Sequence, residues 1–158
     1  MNYNQFKNIS CYEEFEILCT LTGVSKIEVL DHIGFNVKGQ YWFFVSNDGI
    51  FNWFDLVGNH VEDPGILSSI CEVYIPKLCT KVVVPTSVLD IDAYTFAGCR
   101  FLKTIIMPPN LMTIGFSAFM ECENLEEIIF KTRFSYGNLH ELRNRVYGIP
   151  EKCEFKFV

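Results

Sequence analysis

The sequence predicts an α/β solenoid, in which short repeats stack into a parallel sheet between an N-terminal and a C-terminal cap. One observation is a set of residues that recurs at an offset of 23 in the middle of the chain. A second is that the recurring unit holds a run rich in β-branched residues that ends at proline, as in a short strand. A single unit of this size cannot bury its own apolar face, whereas stacked units place equivalent residues in columns through a shared core.

The 23-residue offset relates two well-preserved units and is preceded by a weaker copy. The aligned pairs are Val84 and Met107, Pro85 and Pro108, Ile91 and Ile114, Phe96 and Phe119, Cys99 and Cys122, and Leu102 and Leu125, and Val83 aligns with Ile106 and Ile129. In the weaker copy, Pro64 and Ile70 stand 21 residues before Pro85 and Ile91. There Ile75 takes the Phe96 position, and Cys79 takes the place of Leu102.

Each unit has the same predicted order of elements. Residues 102–107 form a short strand that Pro108 and Pro109 end, because proline cannot donate to a strand ladder. An apolar return follows to Ile114, then one tight helical turn at 115–120, before residues 121–124 lead into the next strand. Stacking the units about 4.8 Å apart builds the parallel sheet.

The repeated residues resemble the BspA-type leucine-rich repeats, whose units read approximately L-x-x-I-x-I-P and then I-G-x-x-A-F-x-x-C. The matching residues are Leu102, Ile105, Met107-Pro108, Ile114-Gly115, Ala118-Phe119 and Cys122. In the preceding unit Thr95 replaces the alanine and Asp92 the glycine. The resemblance covers about residues 64 to 131, and it implies a curved solenoid with a parallel sheet on one face. It also implies a protein that binds other molecules, often at bacterial surfaces.

We divide the chain into three parts, with the repeats at 61–131. Residues 1–60 form an α+β N-terminal cap, in which one helix follows Ser10-x-x-Glu13 and ends near Gly23. A second short helix runs from Ser25-x-x-Glu28 to Gly34. Strands at 41–45 and 50–54 flank a hairpin turn at Ser46-Asn47-Asp48-Gly49, and 35–37 adds a third strand through a turn at Lys38-Gly39.

Residues 132–158 form the C-terminal cap, a helix followed by a strand. Asn138-x-x-Glu141 is a capping box, and it opens a helix with Leu139, Leu142 and Val146 on one face. The helix ends at Gly148-Ile149-Pro150, and 153–157 alternates as a strand with one buried face. An open edge at this strand would allow self-association.

Composition and charge exclude several classes of function. The 13 basic and 19 acidic residues give a net charge of −6, whereas a nucleic-acid binder needs a cationic surface. No stretch reaches the roughly 20 apolar residues of a membrane-spanning helix, which predicts no membrane insertion. The chain begins without a signal-like segment, so we expect a cytoplasmic protein. The alternative is a secreted or cell-surface protein, if the chain is part of a longer one.

The sequence shows no constellation of catalytic or metal-binding residues. Its seven cysteines include no CxxC pair, and its three histidines share no ligand spacing. Neither GxGxxG nor GxxxxGK occurs. We therefore predict that the protein is not an enzyme and takes no metal or cofactor. Cys99 and Cys122 fall in one column, and we interpret them as buried thiols because stacked equivalents point in parallel and do not converge.

The strand pattern predicts a partner-binding face on the repeat sheet. With Leu102, Ile105 and Met107 directed inward, two columns point toward the outer face. One column is Val83, Ile106 and Ile129, and the other is Lys81, Thr104 and Glu127. An exposed apolar column between polar side chains is typical of a contact surface for another protein. The alternative is that these β-branched residues only stabilise the stacked strands and do not form a contact surface.

A different hypothesis places the functional site on the N-terminal hairpin. Trp42 and Trp53 could form an aromatic platform for a carbohydrate or a peptide, or part of an enzyme, with the repeats as scaffold. The alternative for these residues is ordinary cross-strand aromatic packing. A polar-lined pocket beside either ring would favour the ligand platform.

Overall fold

The computed structural model describes residues 3–131, 142–143 and 145–158. The chain divides into two compact units, Met1–Pro64 and Gly65–Val158. Within the described ranges, no helix is long and apolar enough to cross a membrane.

The first unit begins with helices, and its two α-helices start close to the predicted capping residues. A 3-10 helix covers Tyr3–Asn8, followed by α1 at Tyr12–Thr22 and α2 at Lys26–Ile33. The Ser25 side chain accepts a hydrogen bond from the backbone N–H of Glu28, as predicted. At α1 the predicted capping box is shifted by one residue. Glu14, rather than Glu13, accepts hydrogen bonds from both the N–H and the hydroxyl of Ser10.

The helices are followed by a four-stranded antiparallel sheet. Its strands are β1 at Phe35–Val37, β2 at Tyr41–Val45, β3 at Phe51–Phe54 and β4 at His60–Val61, and they lie in chain order. The first three strands and both turns confirm the prediction, whereas β4 is additional. Phe44 and Phe54 pack against Phe15 of α1 at ring-centroid distances of 5.2 and 4.9 Å, so one side of the sheet forms a core with the helices.

The second unit is the predicted solenoid, with two parallel sheets rather than one. The longer sheet contains β6 at Lys81–Val83, β8 at Thr104–Met107, β10 at Glu127–Phe130 and β11 at Glu154–Phe157, in that spatial order. The shorter sheet contains β5 at Ser69–Ile70, β7 at Asp90–Ile91 and β9 at Thr113–Ile114. Its strands are the segments predicted only as an apolar return.

Strand register confirms both the 23-residue repeat and the weaker first copy. Thr104 pairs with Glu127 and Asp90 with Thr113, each pair being 23 residues apart. Ile70 pairs with Ile91 at an offset of 21, as the weaker copy requires. Equivalent residues therefore stack in columns.

The turns between strands stack as well as the strands. The segment 115–120, predicted as a helical turn, is instead a series of hydrogen-bonded turns. The N–H of Phe96 donates to the carbonyl of Ala118 at 2.8 Å, and the N–H of Gly98 donates to that of Met120 at 2.8 Å. The rings of Phe96 and Phe119, which belong to these neighbouring turns, stack with their centroids 5.3 Å apart and an angle of 10° between their planes. Main-chain bonds thus fix the spacing of the aromatic column.

Only some residues of the predicted C-terminal cap lie within the described ranges. The predicted capping box at Asn138 and Glu141, and Leu139, lie outside the described residues. Leu142 is 1% exposed, but Val146 is 42% exposed within a 3-10 helix at Arg145–Tyr147, so these two do not share a buried face. The predicted strand is confirmed as β11, which pairs in parallel with β10, but its predicted buried face is not, because Phe157 is 44% exposed at the edge of the sheet.

Candidate partner-binding surface

The outer face of the longer sheet consists of Lys81, Val83, Thr104, Ile106, Glu127 and Ile129. Along β8 the burial alternates: Ile105 and Met107 are fully buried, whereas Thr104 and Ile106 keep part of their surface exposed. The same alternation holds along β10. A strand directs successive side chains to opposite sides, so the predicted set lies on one side of the sheet, away from the core.

An apolar row crosses three adjacent strands of the outer face. Val83 pairs with Ile106, and Ile106 pairs with Ile129. All three side chains are partly buried. The row ends on β11 at Lys156, which pairs with Ile129.

A polar row runs beside the apolar one and is joined by a hydrogen-bond network. Lys81 pairs with Thr104, Thr104 with Glu127, and Glu127 with Glu154. The Thr104 hydroxyl donates to Glu127 Oε1 at 3.1 Å, and Lys156 Nζ donates to Glu127 Oε2 at 2.5 Å. Both oxygens of the Glu127 carboxylate therefore have a partner on a neighbouring strand.

These contacts fix the charge and the position of the Glu127 side chain. The Lys156 ammonium, followed by the Thr104 hydroxyl, holds the pKa of Glu127 below its ordinary value. Glu127 in turn raises the pKa of Lys156. Lys156 did not enter the sequence prediction, although the alternation within 153–157 would have placed it on this face.

The two tryptophans of the hairpin lie on opposite faces of the antiparallel sheet. Trp53 pairs with Phe43 and Trp42 with Phe54, and Phe43 and Trp42 are neighbours on one strand. The Trp53 side chain is 2% exposed, with its ring 4.9 Å from that of Phe43. Trp42 packs partly buried against the helical core. The two indoles therefore do not share one surface.

A shallow groove lies at the end of this sheet, beside Tyr41. It has a volume of about 630 Å³ and is lined by Gly39, Gln40, Tyr41, Asp55, Leu56 and Val57. Oδ1 of Asp55 accepts hydrogen bonds from the N–H groups of Val57 and Asn59 at 3.0 and 2.8 Å. These backbone donors, with that of Asn59 foremost, hold the pKa of Asp55 below its ordinary value. The Asp55 carboxylate therefore stabilises its own turn.

The other residues that could support chemistry are cysteines and histidines, and in the described part of the chain they are dispersed. Cys99 and Cys122 are buried thiols, as predicted, and Cys122 Sγ donates to the Phe96 carbonyl at 3.0 Å. Burial raises the pKa of Cys122 to about 12. His32 and His60 stack on Tyr3 and Tyr12. Among described residues, no group of three or more His, Cys, Asp or Glu side chains is placed to hold a metal ion.

Comparison with known proteins matches one segment of the chain. Residues 72–144 match the family model described as "BspA type Leucine rich repeat region (6 copies)". The matched segment includes β6, β8 and β10, the strands that carry the outer face. Neither a curated protein nor a solved structure matches the chain.

Proposed function

The repeat segment, residues 72–144, belongs to the BspA-type leucine-rich repeat family of protein-interaction modules, and on this premise we propose that the outer face binds another protein. The protein acts in this proposal as a non-enzymatic binding module, in keeping with the scaffold role typical of such repeats. The contact residues are Lys81, Val83, Thr104, Ile106, Glu127 and Ile129. The proposed partner is a folded protein that presents a complementary apolar surface.

The apolar row is the observation that carries the proposal. Val83, Ile106 and Ile129 stand side by side on three hydrogen-bonded strands, so a partner meets a continuous apolar strip on a rigid support. Binding to a rigid surface avoids part of the cost of ordering side chains. The ion pair between Glu127 and Lys156, supported by Thr104, adds polar groups of fixed position beside the strip. Apolar contact supplies affinity, and these polar groups supply orientation.

The size of the face indicates a weak or transient complex. Specific interfaces of standard size bury about 800 Å² and roughly 20–30 residues on each partner. The six residues of the outer face supply only the centre of such an interface. We therefore expect rapid exchange of the partner.

Replacing Ile106 and Ile129 together with lysine is expected to remove partner binding. Two ammonium groups at the centre of an apolar strip would be desolvated on binding, and the neighbouring Glu127 is already paired with Lys156, so affinity should fall at least about tenfold. The measurement is affinity capture from the native cell with the tagged chain, followed by quantitative mass spectrometry of wild type against the Ile106→Lys/Ile129→Lys variant.

Met112→Lys/Phe116→Lys is the matched control for this experiment. These side chains are 59% and 57% exposed and lie outside the outer face, so the control adds the same charge to a more exposed apolar pair. Circular dichroism and thermal unfolding verify that both variants fold. Proteins captured by wild type and control but lost by Ile106→Lys/Ile129→Lys support the proposal. Equal capture by all three chains would remove this surface from consideration.

A further inference from the structure

The longer sheet ends at β11, which pairs with β10 on one side and, among the described residues, with no strand on the other. The N–H of Glu154 donates to the carbonyl of Glu126 at 2.8 Å, and the N–H of Val158 also donates toward β10. The backbone groups of successive residues in a strand point to opposite sides, so those of Phe155 and Phe157 point away from β10. Such an edge is a template for another strand.

A core column of the solenoid continues onto this last strand and stays exposed there. Phe130 pairs with Phe157, and their rings stack with centroids 5.3 Å apart. Phe130 is 2% exposed, whereas Phe157 is 44% exposed. A stack of repeats needs a cap over apolar surface of this kind. The open edge and the exposed aromatic ring therefore occur on the same strand.

The charges of β11 alternate in a way that suits a second copy of the same strand. Glu154 and Lys156 are exposed and lie on one side of the strand, with Phe155 between them. If two β11 strands pair antiparallel about a two-fold axis at Phe155, Glu154 of each copy lies directly opposite Lys156 of the other. Opposite charges in this position stabilise a sheet. Lys156 already binds Glu127, but an ammonium has three donors and can bind a second carboxylate.

Two other two-fold registers pair the outward backbone groups, and neither matches the charges. With Lys156 on the axis, Phe155 lies opposite Phe157, but the two Lys156 side chains face each other, which is destabilising. With Phe157 on the axis, Lys156 lies opposite Val158, and Glu154 meets no counter-charge. With Phe155 on the axis, both copies of Phe155 also exchange their N–H and C=O groups in a pair of hydrogen bonds.

We propose that β11 is a dimerisation edge, at which the longer sheets of two copies join into one continuous sheet about a two-fold axis at Phe155. A contact that uses the same surface on both copies is closed after two, so it yields a dimer and not a filament. Phe157 of each copy then lies opposite Cys153 of the other. The Cys153 carbonyl already accepts a hydrogen bond from Arg143, so the added ladder is short.

The short ladder sets the strength of the dimer. Standard interfaces use roughly 20–30 residues on each side, and one strand supplies only a few. The dimer should therefore dissociate on dilution.

The first test is sedimentation velocity of the full chain at increasing concentration, with reductant present. We expect a reversible monomer–dimer equilibrium. Glu154→Lys replaces both cross-strand ion pairs by like-charge pairs, so its Kd for dimerisation should rise at least about tenfold. Glu123→Lys makes the same charge change at an exposed residue outside β11 and should dimerise like wild type. Monomer at every concentration, assembly beyond the dimer, or equal dimerisation of both variants would overturn the proposal.

The second test locates the axis with cysteines placed on β11, in a chain that also carries Cys11→Ser and Cys71→Ser. In the proposed register, positions 154 and 156 of opposite copies form a pair with about 4.5 Å between Cα atoms, which a disulfide can span. A mixture of Glu154→Cys and Lys156→Cys chains should therefore form a disulfide-linked heterodimer on mild oxidation, while each variant alone should form little.

Non-reducing electrophoresis and mass spectrometry of the linked peptides identify the products of this second test. Efficient cross-linking of Lys156→Cys to itself would place the axis at position 156, and an uncrosslinked mixture would exclude the pairing; either result contradicts the proposal. The proposed partner binding uses β6, β8 and β10, so a strictly monomeric chain would leave it untouched.

Discussion

Replacing Phe119 with alanine is expected to lower the free energy of unfolding by about 3–5 kcal/mol. The Phe119 side chain is fully buried, and its ring stacks on that of Phe96 at 5.3 Å. Its own N–H donates to the Tyr147 carbonyl at 2.9 Å, while Phe96 is tied to the Ala118 carbonyl. These bonds fix the spacing of the backbone in neighbouring turns, so the space left by the ring cannot close. Urea denaturation followed by circular dichroism measures the loss.

Phe116→Ala is the matched control, because it removes an equal ring from the same turn. The Phe116 ring is 57% exposed and meets Tyr94 edge-on at 5.9 Å between centroids. Such a pair contributes about 0.5–1.5 kcal/mol beyond its buried area, so the control should lose far less stability than Phe119→Ala. Similar losses at both positions would contradict the assignment of Phe119 to a packed column.

The periodicity of the sequence was sufficient to predict the columns of the solenoid. Phe96 and Phe119 carry the same side chain 23 residues apart, and only stacked turns let both rings enter one core. The register of Val83 with Ile106 and of Ile106 with Ile129 follows from the same offset. The outer face was predictable for this reason, since alternation along one strand fixes the side chain direction in all of them.

The shorter sheet was not predicted, because its strands contain only two residues each. A pair such as Thr113 and Ile114 is too short to show alternation, and the strand exists through bonds between neighbouring turns. The N–H of Gly115, for example, donates to the Ile91 carbonyl at 2.7 Å. β4, at His60–Val61, escaped prediction for the same reason.

Replacing Gly115 with alanine is expected to lower the free energy of unfolding by about 3 kcal/mol. A Cβ at this position would lie 2.3 Å from the backbone N of Ala93 and 2.6 Å from the backbone C of Asp92. No side chain can rotate away to relieve these contacts, so the two turns must separate. Separation breaks the bond from the Gly115 N–H to the Ile91 carbonyl and weakens the pairing of Ile114 with Ile91.

Gly98→Ala distinguishes this steric effect from the general cost of replacing a glycine. Gly98 has a φ of +78°, but a Cβ there meets no atom within 4 Å. Its equivalent in the next unit, Glu121, adopts a φ of 62° with a side chain present, so the backbone tolerates substitution at a cost of about 1 kcal/mol. Thermal and urea unfolding of both variants give the comparison. Equal losses would mean that close contact with the Ala93 backbone is not what requires glycine at position 115, whereas a much larger loss at Gly115 would confirm a close approach of two turns at this residue.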